Sequence, residues 1–129
     1  MEFVKSFRDL EVYKLSRQLS KEIFEFSKKF PKEEMYSLTD QVRRSSRSIG
    51  GQIAEAWGKR KYEKHFVSKL TDADGEQLET QHWIETALDC LYISKELADD
   101  LLNKCSSIGK MLNSMMSKAS VFCQKAKLS

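Results

Sequence analysis

The 129-residue chain is poor in the two residues that most often interrupt regular structure, with one proline and five glycines. Together with an apolar content of 40%, this composition is typical of an all-helical protein. The length is that of one domain with a sizeable core, and no internal repeat divides it. We therefore expect residues 1–129 to form a single all-α domain.

Cysteine is also scarce, and its spacing excludes two classes of small protein. The three cysteines lie at positions 90, 105 and 123, without a CxxC pair, so we expect neither a disulfide framework nor a zinc site. No apolar run is long enough for a membrane span or a secretory signal. These absences predict a cytoplasmic protein with reduced thiols, no membrane association and no cofactor.

Residues that could carry catalysis are few. Glu79 and His82 form an ExxH pair, which di-iron four-helix bundles use twice. The other histidine, His65, has Tyr62 at the position where a second pair needs glutamate, so we expect no metal site. No cysteine or serine has the context of a nucleophile–base pair, and the acidic residues at 72–79 are typical of a solvated or subunit-facing surface. The sequence predicts a non-enzymatic protein.

Four segments show the spacing of apolar residues that amphipathic helices require. Pro31 ends the first of them, because proline disfavours helix in the residue before it. The connections are short, as between antiparallel neighbours. The predicted fold class is therefore all-α, an antiparallel up-down-up-down four-helix bundle. Its helices are expected at about residues 9–29, 38–58, 63–90 and 95–122.

Capping signals support these boundaries. Asp9 is the expected N-cap of the first helix. Ser37 and Asp40 resemble a capping box at the start of the second, with Asp in place of Glu. Gly58 is a typical stop signal for that helix, and Ser94 is a good N-cap for the fourth. Each predicted helix boundary near these residues therefore has a local chemical reason.

The second helix carries a face of small residues. Gly50, Ala54 and Gly58 recur every four residues, which would let another backbone approach closely. We expect that backbone to belong to another subunit, so these three residues are candidates for a subunit interface. A neighbouring helix of the same bundle, a kink at Gly50–Gly51 and approach to a phosphate backbone are the alternatives.

Charge is strongly segregated although the formal net charge is only +3. Residues 41–64 hold seven bases against two acids, residues 71–100 hold nine acids against one base, and residues 101–129 hold five lysines and no acid. Such blocks predict separate basic and acidic surfaces.

The basic residues on and after the second helix are the positive signal for function. Arginine and lysine suit phosphate oxygens, and Tyr62 or Trp57 offers a ring for stacking on an unpaired base. The alternative for the arginines is an intersubunit salt-bridge network with the acidic residues at 72–79. The candidate nucleic-acid-binding residues are Arg43, Arg44, Arg47, Lys59, Arg60, Lys61 and Lys64.

Residues 30–60, FPKEEMYSLTDQVRRSSRSIGGQIAEAWGKR, resemble the signature of the bacterial 23S rRNA-intervening-sequence protein family, also called the four helix bundle protein family. Further similarity at both sides extends the resemblance to about residues 7–93. It implies an antiparallel four-helix bundle that assembles as a homopentameric ring, with no established activity. Gln52 and Ala56 depart from the family's usual Asn and Gly, so the resemblance transfers no site residues.

Two functional hypotheses follow. The first is a non-enzymatic homo-oligomer that binds structured RNA or another nucleic acid through the basic residues, with a ring multiplying a weak phosphate patch. The second is a protein-interaction scaffold that uses the ring's acidic or apolar surfaces and has no nucleic-acid role.

Overall fold

The computed structural model describes residues 4–128, and side chains in residues 4–123. Within these residues the chain is all-helical, and four long helices form an antiparallel bundle, as predicted. A fifth, shorter helix follows them. Three single turns precede α1 or lie between α1 and α2, at Phe7–Asp9, Lys32–Glu34 and Met35–Thr39. The helices are α1 (Glu11–Ser27), α2 (Asp40–Gly58), α3 (Glu63–Asp89), α4 (Lys95–Ser117) and α5 (Ala119–Leu128).

The core is a single apolar cluster to which all four long helices contribute. The predicted stripe of α2 is buried, with Ile49, Ile53 and Ala56 fully inaccessible to solvent. Ser45 fills the gap in that stripe, and its hydroxyl accepts a hydrogen bond from Thr80 of α3 at 2.9 Å. A buried hydroxyl needs such a partner, so this pair lets a polar layer cross the core.

Cys105 lies in the same core, fully buried on α4. Burial raises the pKa of its thiol to about 12, because a thiolate would be poorly solvated there. The side chain therefore behaves as a small apolar core residue.

The start of the first helix differs from the prediction. Ser6 caps the turn at Phe7–Asp9, and the carboxylate of Asp9 accepts a hydrogen bond from the Ser6 backbone N–H at 3.2 Å. α1 begins only at Glu11, after the extended residue Leu10. Asp9 as the N-cap of α1 is therefore wrong, because its carboxylate points back toward the chain before it.

The start of the second helix also differs. Ser37 has φ −120° and ψ −106°, which is not helical, and it provides no cap. The carboxylate of Glu34 instead accepts from the backbone N–H of Leu38 at 3.5 Å. A π-type turn at Met35–Thr39 shifts the backbone register, so the Ser37–Asp40 capping box is wrong.

The last predicted helix is two helices in the structure. The backbone of Lys118 has φ −108° and ψ 22°, which ends α4 and redirects the chain into α5. This change of direction lets Phe122 stack on Phe66 with 5.8 Å between ring centroids. The stacking of the partly buried Phe122 on the buried ring of Phe66 therefore offsets part of the cost of interrupting the helix. Ser94 caps α4 as predicted, with its hydroxyl accepting from Leu97 N–H at 3.1 Å.

Candidate nucleic-acid interface

The turn between α2 and α3 places a group of lysines at one end of the bundle, which we call the α2–α3 end. Lys59 and Lys61 follow α2 directly, and Lys64 lies in the first turn of α3. All three side chains are exposed, and none forms an ion pair with another described residue. Their charges are therefore available to an anion from solvent.

Arg60 lies between these lysines but is held by the protein. Its Nε donates to the backbone carbonyl of Trp57 at 2.8 Å, and its guanidinium lies 3.6 Å from the centroid of the Trp57 ring. Burial lowers the pKa of Arg60 from its ordinary value. The side chain closes the C-terminal end of α2 and stacks on its last aromatic residue. The Arg60 guanidinium is therefore less available to a phosphate than the ammonium groups of Lys59 and Lys61.

The two aromatic candidates differ in accessibility. Trp57 is partly buried between Arg60 and the ring of Phe122, whose centroid lies 6.5 Å away. Tyr62 is 57% exposed, next to His65 with 5.5 Å between ring centroids. Tyr62 is therefore the more accessible ring for stacking, because the protein itself occupies the surroundings of Trp57.

The arginines of α2 lie on its side, away from the α2–α3 end. Arg43 donates through Nε to Ser27 Oγ of α1 at 2.7 Å, and its guanidinium lies 4.9 Å from the Phe24 ring centroid. Arg47 is exposed, 5.6 Å from the same ring centroid. Arg44 is exposed and has only a long 3.9 Å contact to Asp40. Arg43 therefore joins two helices, whereas Arg44 and Arg47 face solvent.

The seven predicted basic residues thus do not form one cluster. Twelve helical steps separate Arg47 from Lys59, which corresponds to about 18 Å along the axis. Antiparallel topology brings other cations to the α2–α3 end. Arg8, before α1, and Lys118, between α4 and α5, lie at this end of the bundle and are exposed. The sequence does not group Arg8 and Lys118 with Lys61, because each lies more than 50 residues from it along the chain.

The small residues of α2 have different surroundings. A Cβ added at Gly50 would lie 3.2 Å from Ser16 Oγ and 3.4 Å from Tyr13 Cε1, so this glycine makes room for α1 of the same chain. A Cβ added at Gly58 would meet nothing within 4 Å among the described residues, and Ala54 is partly exposed. α2 continues through Gly50 and Gly51 without a break. Only Ala54 and Gly58 of the predicted interface remain open in a single copy.

The acidic residues of α3 are partly engaged within the chain. Glu76 accepts from Ser48 Oγ of α2 at 3.1 Å, and Glu79 accepts from Trp83 Nε1 at 3.2 Å. Among residues 4–123, none of the α2 arginines forms an ion pair with these carboxylates. His82 packs edge-on against Trp83, and no group of His, Cys, Asp and Glu in the described part of the chain is arranged to hold a metal ion.

The sequence did not predict the buried polar side chains in the middle of α3, next to α4. Gln77 is 4% exposed, and it donates to Asp74 Oδ1 at 2.9 Å and accepts from Gln81 Nε2 at 2.8 Å. Its side chain packs against Gly109 of α4, which has no Cβ. The low apolar content in the middle of α3 is the sequence feature that could have indicated this polar layer, because buried polar side chains there take the place of apolar ones.

Comparisons with known proteins agree with the resemblance seen in residues 30–60. Among solved structures, the chain is similar to a crystal structure from Bacteroides thetaiotaomicron, described as a protein with unknown function from the S23 ribosomal protein family. The two are 29% identical with a TM-score of 0.75, and the match covers 82% of this chain and 95% of that one. A comparison with curated proteins finds no match.

No helix within residues 4–128 is both long and apolar enough to cross a membrane. The family model described as 23S rRNA-intervening sequence protein matches residues 8–114, which is most of the chain. The chain therefore belongs to the 23S rRNA-intervening sequence protein family.

Proposed function

We propose that the protein is a non-enzymatic homo-oligomer that binds RNA or another nucleic acid through the α2–α3 end. The observation that carries this proposal is the exposure of Lys59, Lys61 and Lys64 without an ion pair among the described residues. Unpaired lysines hold solvent anions loosely and exchange them for phosphates, and the counterions released from the nucleic acid drive binding. Three contacts give weak, salt-sensitive affinity.

Self-association would multiply this weak site. Ala54 and Gly58 leave part of the outer side of α2 without large side chains, so a neighbouring helix can pack closely there. Arg44 and Arg47 are exposed on the same helix, so they can meet acidic residues of α3 in a neighbouring copy. The ring of five copies implied by the family resemblance would repeat the α2–α3 end five times and raise the overall affinity by avidity.

The proposal is tested by titrating a labelled RNA that contains both paired and unpaired segments at several salt concentrations. For the wild type we expect log Kd to depend steeply on log salt. Replacing Lys59, Lys61 and Lys64 together by alanine should reduce the magnitude of that slope by about 2, since each phosphate contact to a single strand contributes about 0.7.

The matched control replaces Lys28, Lys29 and Lys32 by alanine. These three exposed lysines lie after α1, at the opposite end of the bundle, and their loss changes the net charge by the same amount. The control should bind as the wild type does, apart from a small general effect of charge. Equal slopes in the two triple variants would contradict binding at the α2–α3 end.

A complete lack of RNA and DNA retention at low salt would instead favour the protein-interaction scaffold. One observation supports that second candidate. Leu78 is 55% exposed on α3, next to Glu79 in the sequence and one helical turn after Asp74, so an exposed apolar residue stands in the acidic segment of this helix. Such a surface suits a basic, partly apolar protein partner.

A further inference from the structure

The exposed ring of Tyr62 lies among the free lysines of the α2–α3 end. Its centroid is 5.9 Å from the Lys61 ammonium, and Lys59 and Lys64 are within three residues along the chain. Lysine contacts alone do not distinguish duplex from single strand, because both present phosphates. An accessible aromatic ring does distinguish them, because only an unpaired base exposes its face for stacking.

The backbone holds Tyr62 firmly. Its N–H donates to the carbonyl of Lys59 at 3.0 Å, and its own carbonyl accepts from the N–H groups of His65 and Phe66, each at 3.0 Å. Tyr62 is the N-cap residue of the 27-residue α3, with extended dihedral angles. The ring therefore projects from a fixed point between two helices, and a base that stacks on it pays little for ordering the protein.

We propose that the α2–α3 end binds unpaired nucleotides, with one base stacked on Tyr62 and the flanking phosphates on Lys59, Lys61 and Lys64. This inference rests on the proposed function and names its ligand class. Trp57 does not serve as a second platform, because Arg60 lies 3.6 Å from its ring centroid and Phe122 packs beside it.

The chain contains a control for exposure alone. Tyr36 is 91% exposed, but it follows Glu33 and Glu34 at the other end of the bundle. Glu33 and Glu34 offset the charge of Lys32 beside them, so the ring of Tyr36 does not lie among unpaired lysines as the ring of Tyr62 does. Comparing Tyr62 with Tyr36 separates a ring placed among cations from a ring that is merely accessible.

The test uses fluorescence anisotropy with three labelled probes of equal length: oligo(U), oligo(dT) and an RNA duplex. We expect the full-length wild-type protein to bind the single strands more tightly than the duplex. Tyr62→Ala should weaken single-strand binding by roughly 5- to 150-fold, the cost of losing one stacked base. It should leave duplex binding and the salt slope unchanged, because it removes no charge.

Two further variants complete the design. Tyr62→Phe keeps the ring and should bind as the wild type does, and Tyr36→Ala should also be unchanged. Equal binding of oligo(U) and oligo(dT) assigns recognition to base and phosphate, and preference for oligo(U) adds a contact to the 2′-hydroxyl. Either result supports the inference when Tyr62→Ala abolishes the advantage over duplex.

The outcomes separate the inference from the proposed function. If the triple lysine variant lowers the salt slope but Tyr62→Ala binds single strands as tightly as wild type, stacking on Tyr62 is wrong and the phosphate site stands. If Tyr62→Ala weakens duplex and single strand equally, the ring has no role specific to unpaired bases. If no probe binds at low salt, both proposals fail together.

Discussion

The hydroxyl of Tyr92 donates a 2.9 Å hydrogen bond to the carboxylate of Glu34, 58 residues away in the sequence. The bond joins the turn between α3 and α4 to the turn between α1 and α2, and the Tyr92 ring packs beside Phe30 with 5.5 Å between centroids. The other carboxylate oxygen of Glu34 accepts from Leu38 N–H. One carboxylate therefore ties together two connections at the end of the bundle opposite to the proposed binding site.

This contact predicts a specific loss of stability in alkali. The hydrogen bond to Glu34 raises the pKa of Tyr92 from 10.0 to about 12. The folded state thus keeps the proton of Tyr92 more tightly than the unfolded state does. The contribution to stability is complete below about pH 10 and is lost as the pH rises from 10 toward 12. Urea unfolding at pH 8 and pH 11 should show the decline.

Tyr92→Phe identifies the source of that decline. The variant should be less stable than wild type at pH 8, and its stability should fall less between pH 8 and pH 11. Tyr36→Phe is the control, because Tyr36 is 91% exposed and should behave as the wild type. A Tyr92→Phe variant that loses stability in alkali as steeply as the wild type would contradict the assignment.

Gly109 and Gly75 should respond in opposite directions to alanine. A Cβ at Gly109 would lie 2.8 Å from Gln77 Nε2 and 3.3 Å from Asp74 Oδ1, and Gln77 is buried with both amide atoms hydrogen-bonded. We expect Gly109→Ala to destabilise by about 1–3 kcal/mol despite its better helix propensity. Gly75 is exposed and has open space around it, so Gly75→Ala should stabilise by about 0.5–1 kcal/mol.

The comparison is tested by measuring the urea denaturation midpoint of each variant and of the wild type, with the m-value unchanged among them. Stabilisation in both variants would mean that the polar layer around Gln77 adapts without cost.

Arg43 is expected to act on stability rather than on nucleic-acid binding. Arg43→Gln removes the 2.7 Å bond to Ser27 Oγ and the contact with the Phe24 ring, and it should destabilise by about 1–2 kcal/mol. Lys59→Ala removes the same charge from an exposed side chain and should leave stability within about 0.5 kcal/mol. Thermal unfolding and the RNA titration are measured for both variants. If Arg43 were a phosphate contact, Arg43→Gln would weaken RNA binding and leave stability unchanged.

Ala54→Arg should abolish the proposed self-association. A long charged side chain on the open side of α2 obstructs a closely packed neighbour, whereas the partly exposed position tolerates it within one copy. Light scattering should report a fall from the oligomer mass toward the 15.0 kDa of one chain, with unchanged helical circular dichroism. Ser106→Arg is the control, since it adds the same charge at an exposed site on α4.

A wild-type protein that already measures 15.0 kDa at high concentration would contradict self-association altogether. The proposed nucleic-acid site would then act without avidity, and only its salt dependence would remain to support it.

Some of the candidate site was predictable and some was not. Lys59, Lys61 and Lys64 lie in and just after the polar connection that follows Gly58, and this position favours their exposure. The restraint on Arg43 was not predictable, because its partner Ser27 lies on another helix. The restraint on Arg60 was missed although its partner Trp57 is only three residues away, because it depends on the backbone geometry at the end of α2. Gly50 shows the same limit, since its close neighbour is α1 of the same chain rather than a second subunit.

Apolar periodicity was enough to predict the four long helices, their order, the buried stripe of α2 and the position of the basic connection, but not the break at Lys118 that separates α4 from α5. These features depend on local periodicity and on residues close together along the chain, which sequence displays directly. Periodicity does not predict that Arg43 is held by Ser27, 16 residues away, or that Tyr92 reaches Glu34, 58 residues away. These contacts join different helices and turns, so the distances between the residues are set only once the helices have packed.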